Sequence, residues 1–178
     1  LWSRKEILEK IPPLFGGGEM IQDVFEETST WAELPHKFEA GTPAIAEAIG
    51  LAEAINYLNT IGLDEIHEYE KTITKYLFEK LNQIKNVEII GPSPEIDPNR
   101  ASLATFYVKN IHSNDIAEIL DSKGICIRSG HHCCQPLHRY IGIKSTARIS
   151  MNFTTNKEEI DIFIEKLKDT IDFLKINS

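Results

Sequence analysis

Around residue 85 the hydrophobic period of this chain changes. Before that point Leu63, Ile66, Tyr69, Ile73, Tyr76, Leu77, Leu81 and Ile84 recur every three or four positions, the spacing of one face of an amphipathic helix. After it, "NVEIIGP" (86–92) and "ASLATFYVKN" (101–110) are short runs rich in β-branched and aromatic residues, which read as two strands. The intervening "SPEIDPNR" holds two prolines and reads as a loop. Ser113 predicts the cap of a short helix stopping at Gly124, "ICIRS" (125–129) a third strand and "TARISMNF" (146–153) a fourth. Thr155 and Glu158 are spaced as a capping box for a last helix, whose stripe is Ile160, Phe163, Ile164, Leu167, Ile171 and Leu174. Helix, strand, strand, helix, strand, strand, helix predicts an α+β domain: a small, mainly antiparallel sheet packed with helices.

Upstream the pattern is less regular, and residues 1–43 read as irregular chain. "LWSRKEIL" looks like a helix start without a cap, as though more protein precedes it. "PPLFGGGEM" (12–20) has loop chemistry. "FEAGTP" (38–43) leads into an Ala- and Ile-rich helix expected over 44–59, with Thr42 or a neighbour as its cap and Pro43 in its first turn. The small apolar side chains of that helix predict close packing on its neighbours. The net charge of −8 argues against nucleic acid or an anionic membrane as the main partner. No apolar run approaches the ~20 residues that span a bilayer. Of the three cysteines, Cys126, Cys133 and Cys134, two are adjacent. A disulfide framework is not expected, and a reducing intracellular compartment is.

The densest chemistry is "RSGHHCCQPLHR" (128–139), with two arginines, three histidines and two cysteines. Thiolate is the reactive form of cysteine, and cationic neighbours favour it. Cys133 follows His131 and His132 directly and lies five residues after Arg128. Ser129-Gly130 lets the chain turn as it leaves a strand, so a nucleophile here is exposed and mobile. The plainer reading is a buried thiol beside surface histidines. Zinc is a further alternative, through His132, Cys134 or His138, although contiguous ligand types diverge and do not converge on one tetrahedral ion. Cys126 is expected in core packing, and Cys134 as a spare thiol. Arg148 lies among apolar neighbours and needs an anion, either a carboxylate ligand or one of the 27 acidic residues. Thr42 after Gly41 is either an ordinary helix cap or a phosphate contact.

Taken together, "RSGHHCCQPL" (128–137) resembles the active-site cysteine segment of the SufS-type, or group II, cysteine desulfurases, a branch of the class V aminotransferase-like enzymes. "GGGEMI" (16–21), "FEAGTP" and "ARISMNFTTNKEEID" (147–161) resemble that family's loops and closing strand and helix, in the same order. The resemblance implies the C-terminal part of a fold-type I transferase dependent on pyridoxal 5′-phosphate. Residues 1–60 would finish the cofactor-binding domain, and 61–178 would form the small domain. Cys133 would take sulfur from L-cysteine as a persulfide, leaving L-alanine, with His131 and His132 beside it. Arg148 would bind the substrate carboxylate and Arg128 would shape the site. Thr42 and Gly41 would touch the cofactor phosphate held by the partner subunit of a homodimer. A SufE-like protein would accept the sulfur for iron–sulfur cluster assembly, in the cytoplasm or a plastid-type stroma. The family's Schiff-base lysine lies in a His-Lys motif upstream of everything here. The "PHK" at 35–37 is not that motif, so this chain alone is expected to be inactive. A selenocysteine lyase and a non-enzymatic zinc or sulfur-carrier module are the alternatives.

Overall fold

The computed structural model describes residues 2–176 and divides after Thr60 into two units. In the first, helix α1 (Lys5–Lys10) begins at Arg4 without a side-chain cap. Strands β1 (Ile21–Val24) and β2 (Ser29–Trp31) then pair as an antiparallel hairpin. The expectation of irregular chain over 1–43 is corrected here. These strands are short and half polar, so no apolar alternation marks them. Side chains hold them instead: the Asp23 N–H donates to Thr30 Oγ1 (3.0 Å), whose hydroxyl donates to Asp23 Oδ2 (3.2 Å). Helix α2 (Ile45–Ile61) follows. Pro43 lies just outside it, its carbonyl accepting from the Ile45 N–H at 2.8 Å. The close packing expected of α2 is not found, because none of its residues is buried. Ile45, Ile49, Leu51 and Tyr57 all stand more than half exposed.

The second unit runs α3 (Leu63–Leu81), β3 (Val87–Ile90), β4 (Leu103–Val108), α4 (Ser113–Asp121), β5 (Arg128–Gly130), α5 (Gln135–Ile141), β6 (Thr146–Ser150) and α6 (Lys157–Ile176). Its sheet has the order β3-β4-β6-β5, with every neighbouring pair antiparallel. β4 and β5 therefore run parallel, and the β4–α4–β5 crossover leaves a slot that β6 fills. Alternation along β4 sends Ala104, Phe106 and Val108 into the core. Ala147, opposite Phe106, joins them. Leu77 and Leu81 of α3, Ile116 and Leu120 of α4, and Ile160, Phe163 and Leu167 of α6 cover that face. Phe106 and Phe163 meet edge to face, with centroids 6.3 Å apart.

Several local expectations shift by a residue. Ser113 is the first helical residue of α4, and His112 caps it, its Nδ1 accepting from the Asn114 N–H at 3.2 Å. The buried Ser113 hydroxyl instead accepts from the Gly130 N–H at 3.3 Å. At α6 the capping box is Asn156 with Glu159: each backbone N–H donates to the other's side chain, at 3.0 and 2.9 Å. Thr155 faces back, accepting from the Asn152 N–H. Cys126 is exposed and outside the sheet, its thiol 3.6 Å from Asp121 Oδ1, which corrects its assignment to the core. The third strand begins only at Arg128. Helix α5 was not expected at all. Pro136 sits in its first turn, where a missing N–H costs nothing, and Gly142 ends it with a left-handed φ of 74°.

Replacing Phe106 by Ala is expected to lower unfolding stability by about 3–5 kcal/mol. Ile162→Ala on the exposed side of α6 is expected to change it by less than about 0.5 kcal/mol. Urea denaturation of the two variants checks both.

Candidate active site

Pairing of β5 with β6 sets Arg128 directly opposite Arg148, Ser129 opposite Ala147 and Gly130 opposite Thr146. Thr105 of β4 stands on the other side of Arg148. Because Ala147 enters the core, Arg148 and its cross-strand partners point to the opposite face of the sheet. Like charges placed opposite one another repel. Among the described residues neither arginine forms an ion pair with an acidic side chain. The Nε of Arg148 is buried without a hydrogen-bond partner. A carboxylate between the two guanidiniums would relieve the repulsion and take up the free donors.

The chain leaves β5 through Gly130 at φ 104° and then makes a tight turn, with His132 and Cys133 at φ 52° and 60°. Left-handed backbone costs a side-chain-bearing residue about 1–2 kcal/mol. The turn is closed by the Cys134 N–H donating to the His131 carbonyl at 2.8 Å. Its product is an exposed Cys133 whose sulfur accepts from Arg128 Nη2 at 3.3 Å. His132 is half buried, and both its ring nitrogens lack partners. Burial first, and then the charges of Arg148 and Arg128, hold its pKa below the ordinary imidazole value. The nearby Thr146 backbone works the other way without reaching hydrogen-bond geometry. The neutral form of His132 is therefore favoured, with one bare lone pair and one free N–H.

Arg128, His132, Cys133 and Arg148 thus lie together. His131 is exposed and meets His138 edge to face at 5.4 Å. Cys134 is exposed and stands at the N-cap position of α5. No group of three or more His, Cys, Asp or Glu side chains among the described residues is arranged to hold a metal ion. The sequence marks Ser113 as a helix cap and His138 as a candidate zinc ligand, and nothing in it ties Ser113, Thr146 or His138 to the loop they carry. The available signal was Pro136 early and Gly142 late in one stretch, the usual bracket of a short helix.

Thr42 and Gly41 belong to the first unit. Gly41, at φ 83°, donates its N–H to the Gly18 carbonyl at 3.0 Å. Gly17 backs onto Ala40 so closely that a Cβ there would lie 3.2 Å from the Ala40 Cβ. The two glycine-bearing loops are thereby fastened together. Thr42 is exposed, three residues before the 17-residue helix α2. It lies too far ahead of the helix to be its N-cap residue, which corrects the expected cap, and its exposed hydroxyl can meet a phosphate oxygen instead. The Lys37 Nζ donates to the carbonyls of Leu8 and Glu9, each at 3.1 Å.

Residues 1–163 match the family described as Aminotransferase class-V. A probable cysteine desulfurase of Synechocystis sp. is 52% identical over 173 residues, covering 97% of this chain and 41% of that protein. The apo cysteine desulfurase of Thermococcus onnurineus NA1 superimposes with a TM-score of 0.84 at 36% identity, over 95% of this chain and 42% of that one. The Escherichia coli cysteine desulfurase CsdA, in an S-sulfonic acid form, gives 0.85 at 26% identity, over 97% and 42%. The chain therefore spans about two-fifths of the relatives it matches. The match reaches from the glycine-bearing loops of the first unit through the cysteine turn and into α6, and on it the chain belongs to the class-V aminotransferase family.

Proposed function

We propose that the protein to which this chain belongs is a SufS-type, group II cysteine desulfurase. It takes sulfur from L-cysteine, leaving L-alanine, and holds it as a persulfide on Cys133 for iron–sulfur cluster assembly. The observation that carries this reading is the exposed Cys133 sulfur, 3.3 Å from Arg128 Nη2, on the same sheet end as the unpaired Arg148. Two cations and a reachable thiol suit a substrate that presents a carboxylate and a sulfur.

Pyridoxal 5′-phosphate, when bound, supplies the electron sink that makes the substrate Cβ–S bond breakable. The rest falls to side chains of this chain. Arg148 holds the substrate carboxylate in its fork, with Arg128 alongside. The Cys133 sulfur attacks the substrate sulfur, so that an S–S bond forms as the Cβ–S bond breaks. The substrate carbon gains a proton, and alanine and the persulfide together account for every atom. Neutral His132 offers a bare ring nitrogen to take the Cys133 proton and an N–H to return one. Exposure of Cys133 lets a SufE-like acceptor reach the outer sulfur.

Thr42 and Gly41 would meet the cofactor phosphate held by the partner subunit of a homodimer. The uncovered apolar surface of α2 supports burial in such an assembly. Three unbridged thiols suit a reducing compartment, the cytoplasm or a plastid-type stroma.

In the full-length protein, Cys133→Ser is expected to abolish the one-sulfur mass increment left by L-cysteine, and Cys134→Ser to retain it, as read by intact-protein mass spectrometry. Loss in the Cys134 variant alone would move the nucleophile. Arg148→Ala removes charge-assisted hydrogen bonds and should raise KM for cysteine roughly tenfold to a hundredfold. Turnover with selenocysteine in place of cysteine separates the lyase alternative. The depressed His132 pKa sets a pH signature: the neutral form is lost only as pH falls below the usual imidazole range. Alanine formation should hold through the usual imidazole range and fall only at lower pH, and His132→Gln should be slower throughout without that acid limb.

A further inference from the structure

The cysteine turn ends at Cys134, and the Cys134 carbonyl leads to a side chain the proposed chemistry does not use. His138 is 5% exposed. Its Nδ1 lies 3.0 Å from the Cys134 carbonyl oxygen and its Nε2 3.0 Å from Thr146 Oγ1. A carbonyl only accepts, so Nδ1 carries the hydrogen and donates. In the neutral ring Nε2 then accepts, and the Thr146 hydroxyl donates to it. Thr146 is two residues before Arg148 on β6 and directly opposite Gly130. One imidazole therefore connects the far end of the cysteine turn to the strand that carries Arg148.

We infer that His138 is a positioning residue, a latch that holds the left-handed turn so that the Cys133 sulfur stays against Arg128. This deepens the proposed role of Cys133 and rests on it. Two consecutive non-glycine residues at positive φ persist only when their surroundings over-determine them. One restraint is the Cys134–His131 backbone bond inside the turn. His138 supplies restraint from outside it, through a ring anchored to the sheet. The same ring lies 5.4 Å from His131 and 6.1 Å from His132, centroid to centroid, so it also limits where both can swing. A histidine kept for packing alone would need its volume and not its two nitrogens.

The test is the alkylation rate of Cys133 by iodoacetamide in the full-length protein, resolved from Cys126 and Cys134 by peptide mass spectrometry. His138→Leu keeps the bulk and removes both hydrogen bonds, whereas Thr146→Val removes one from the other side. Each is expected to slow Cys133 roughly threefold to tenfold, the worth of a lost hydrogen bond. The double variant should be no slower than His138→Leu, because both act through one link. His138→Asn, which keeps a donor near the Nδ1 position, should recover part of the rate. Thermal melting identifies any variant that fails to fold, and Thr146→Val, the smaller change, then decides. Wild-type rates in the folded variants, or fully additive losses, would overturn the latch. The readout needs neither substrate nor cofactor. A wild-type Cys133 no more reactive than Cys126 would instead remove the nucleophile reading, while the ratio between variants still decides the latch.

Discussion

Phe106 and Ala147 stand opposite one another at the centre of the sheet, both fully buried, and the site depends on that pair. Side chains alternate along a strand, so burying these two forces Thr105 and Arg148 to the other face. A one-residue slip of β6 would put Arg148 into the apolar core and Ala147 into the open. Helices α3, α4 and α6 enforce the register by filling one face only. Arg128 follows, since β5 takes its position from β6. The placement of two guanidiniums is thus an outcome of hydrophobic packing on the far side of the sheet.

The site concentrates unfavourable features that an ordinary surface would avoid. Two like charges face each other, two side-chain-bearing residues are left-handed, and a half-buried imidazole has no hydrogen-bond partner. Each alone destabilises the fold modestly. An anion placed between the two guanidiniums would relieve the first of these. Protonating His132 would add a third cation to a crowded, poorly hydrated spot, which is why its proton is held weakly.

The long helices and the strands β3, β4 and β6 were legible because their apolar periods are unmixed, whereas β5 lies later than the apolar run 125–127 that suggested it. Stretches whose order comes from polar side chains were not legible. The hairpin of β1 and β2 is held by the Asp23–Thr30 exchange, which leaves no hydrophobic trace. The caps at His112 and Asn156 were misread because Ser113 and Thr155 have favourable chemistry one residue away, and a tertiary bond to Gly130 and a local turn with Asn152 drew those hydroxyls elsewhere. Cys133, with Arg128 and His132 as its neighbours, could be nominated from residue type, whereas only the family resemblance singled Arg148 out from an ordinary ion pair. Their juxtaposition, and the link through His138 and Thr146, depend on strand register and on a helix too short to show periodicity.

The order of the sheet leaves β5 at an edge, where unpaired backbone groups invite another strand. β5 is three residues long, begins with an exposed arginine and ends with a glycine at positive φ. Brevity, charge and a bend are the means by which proteins discourage edge-to-edge aggregation. Arg128 thus has two duties: it faces the sulfur and it guards an open border of the fold. Under the proposed function the same guanidinium serves both the site and the sheet edge, so a neutral replacement there would be penalised twice.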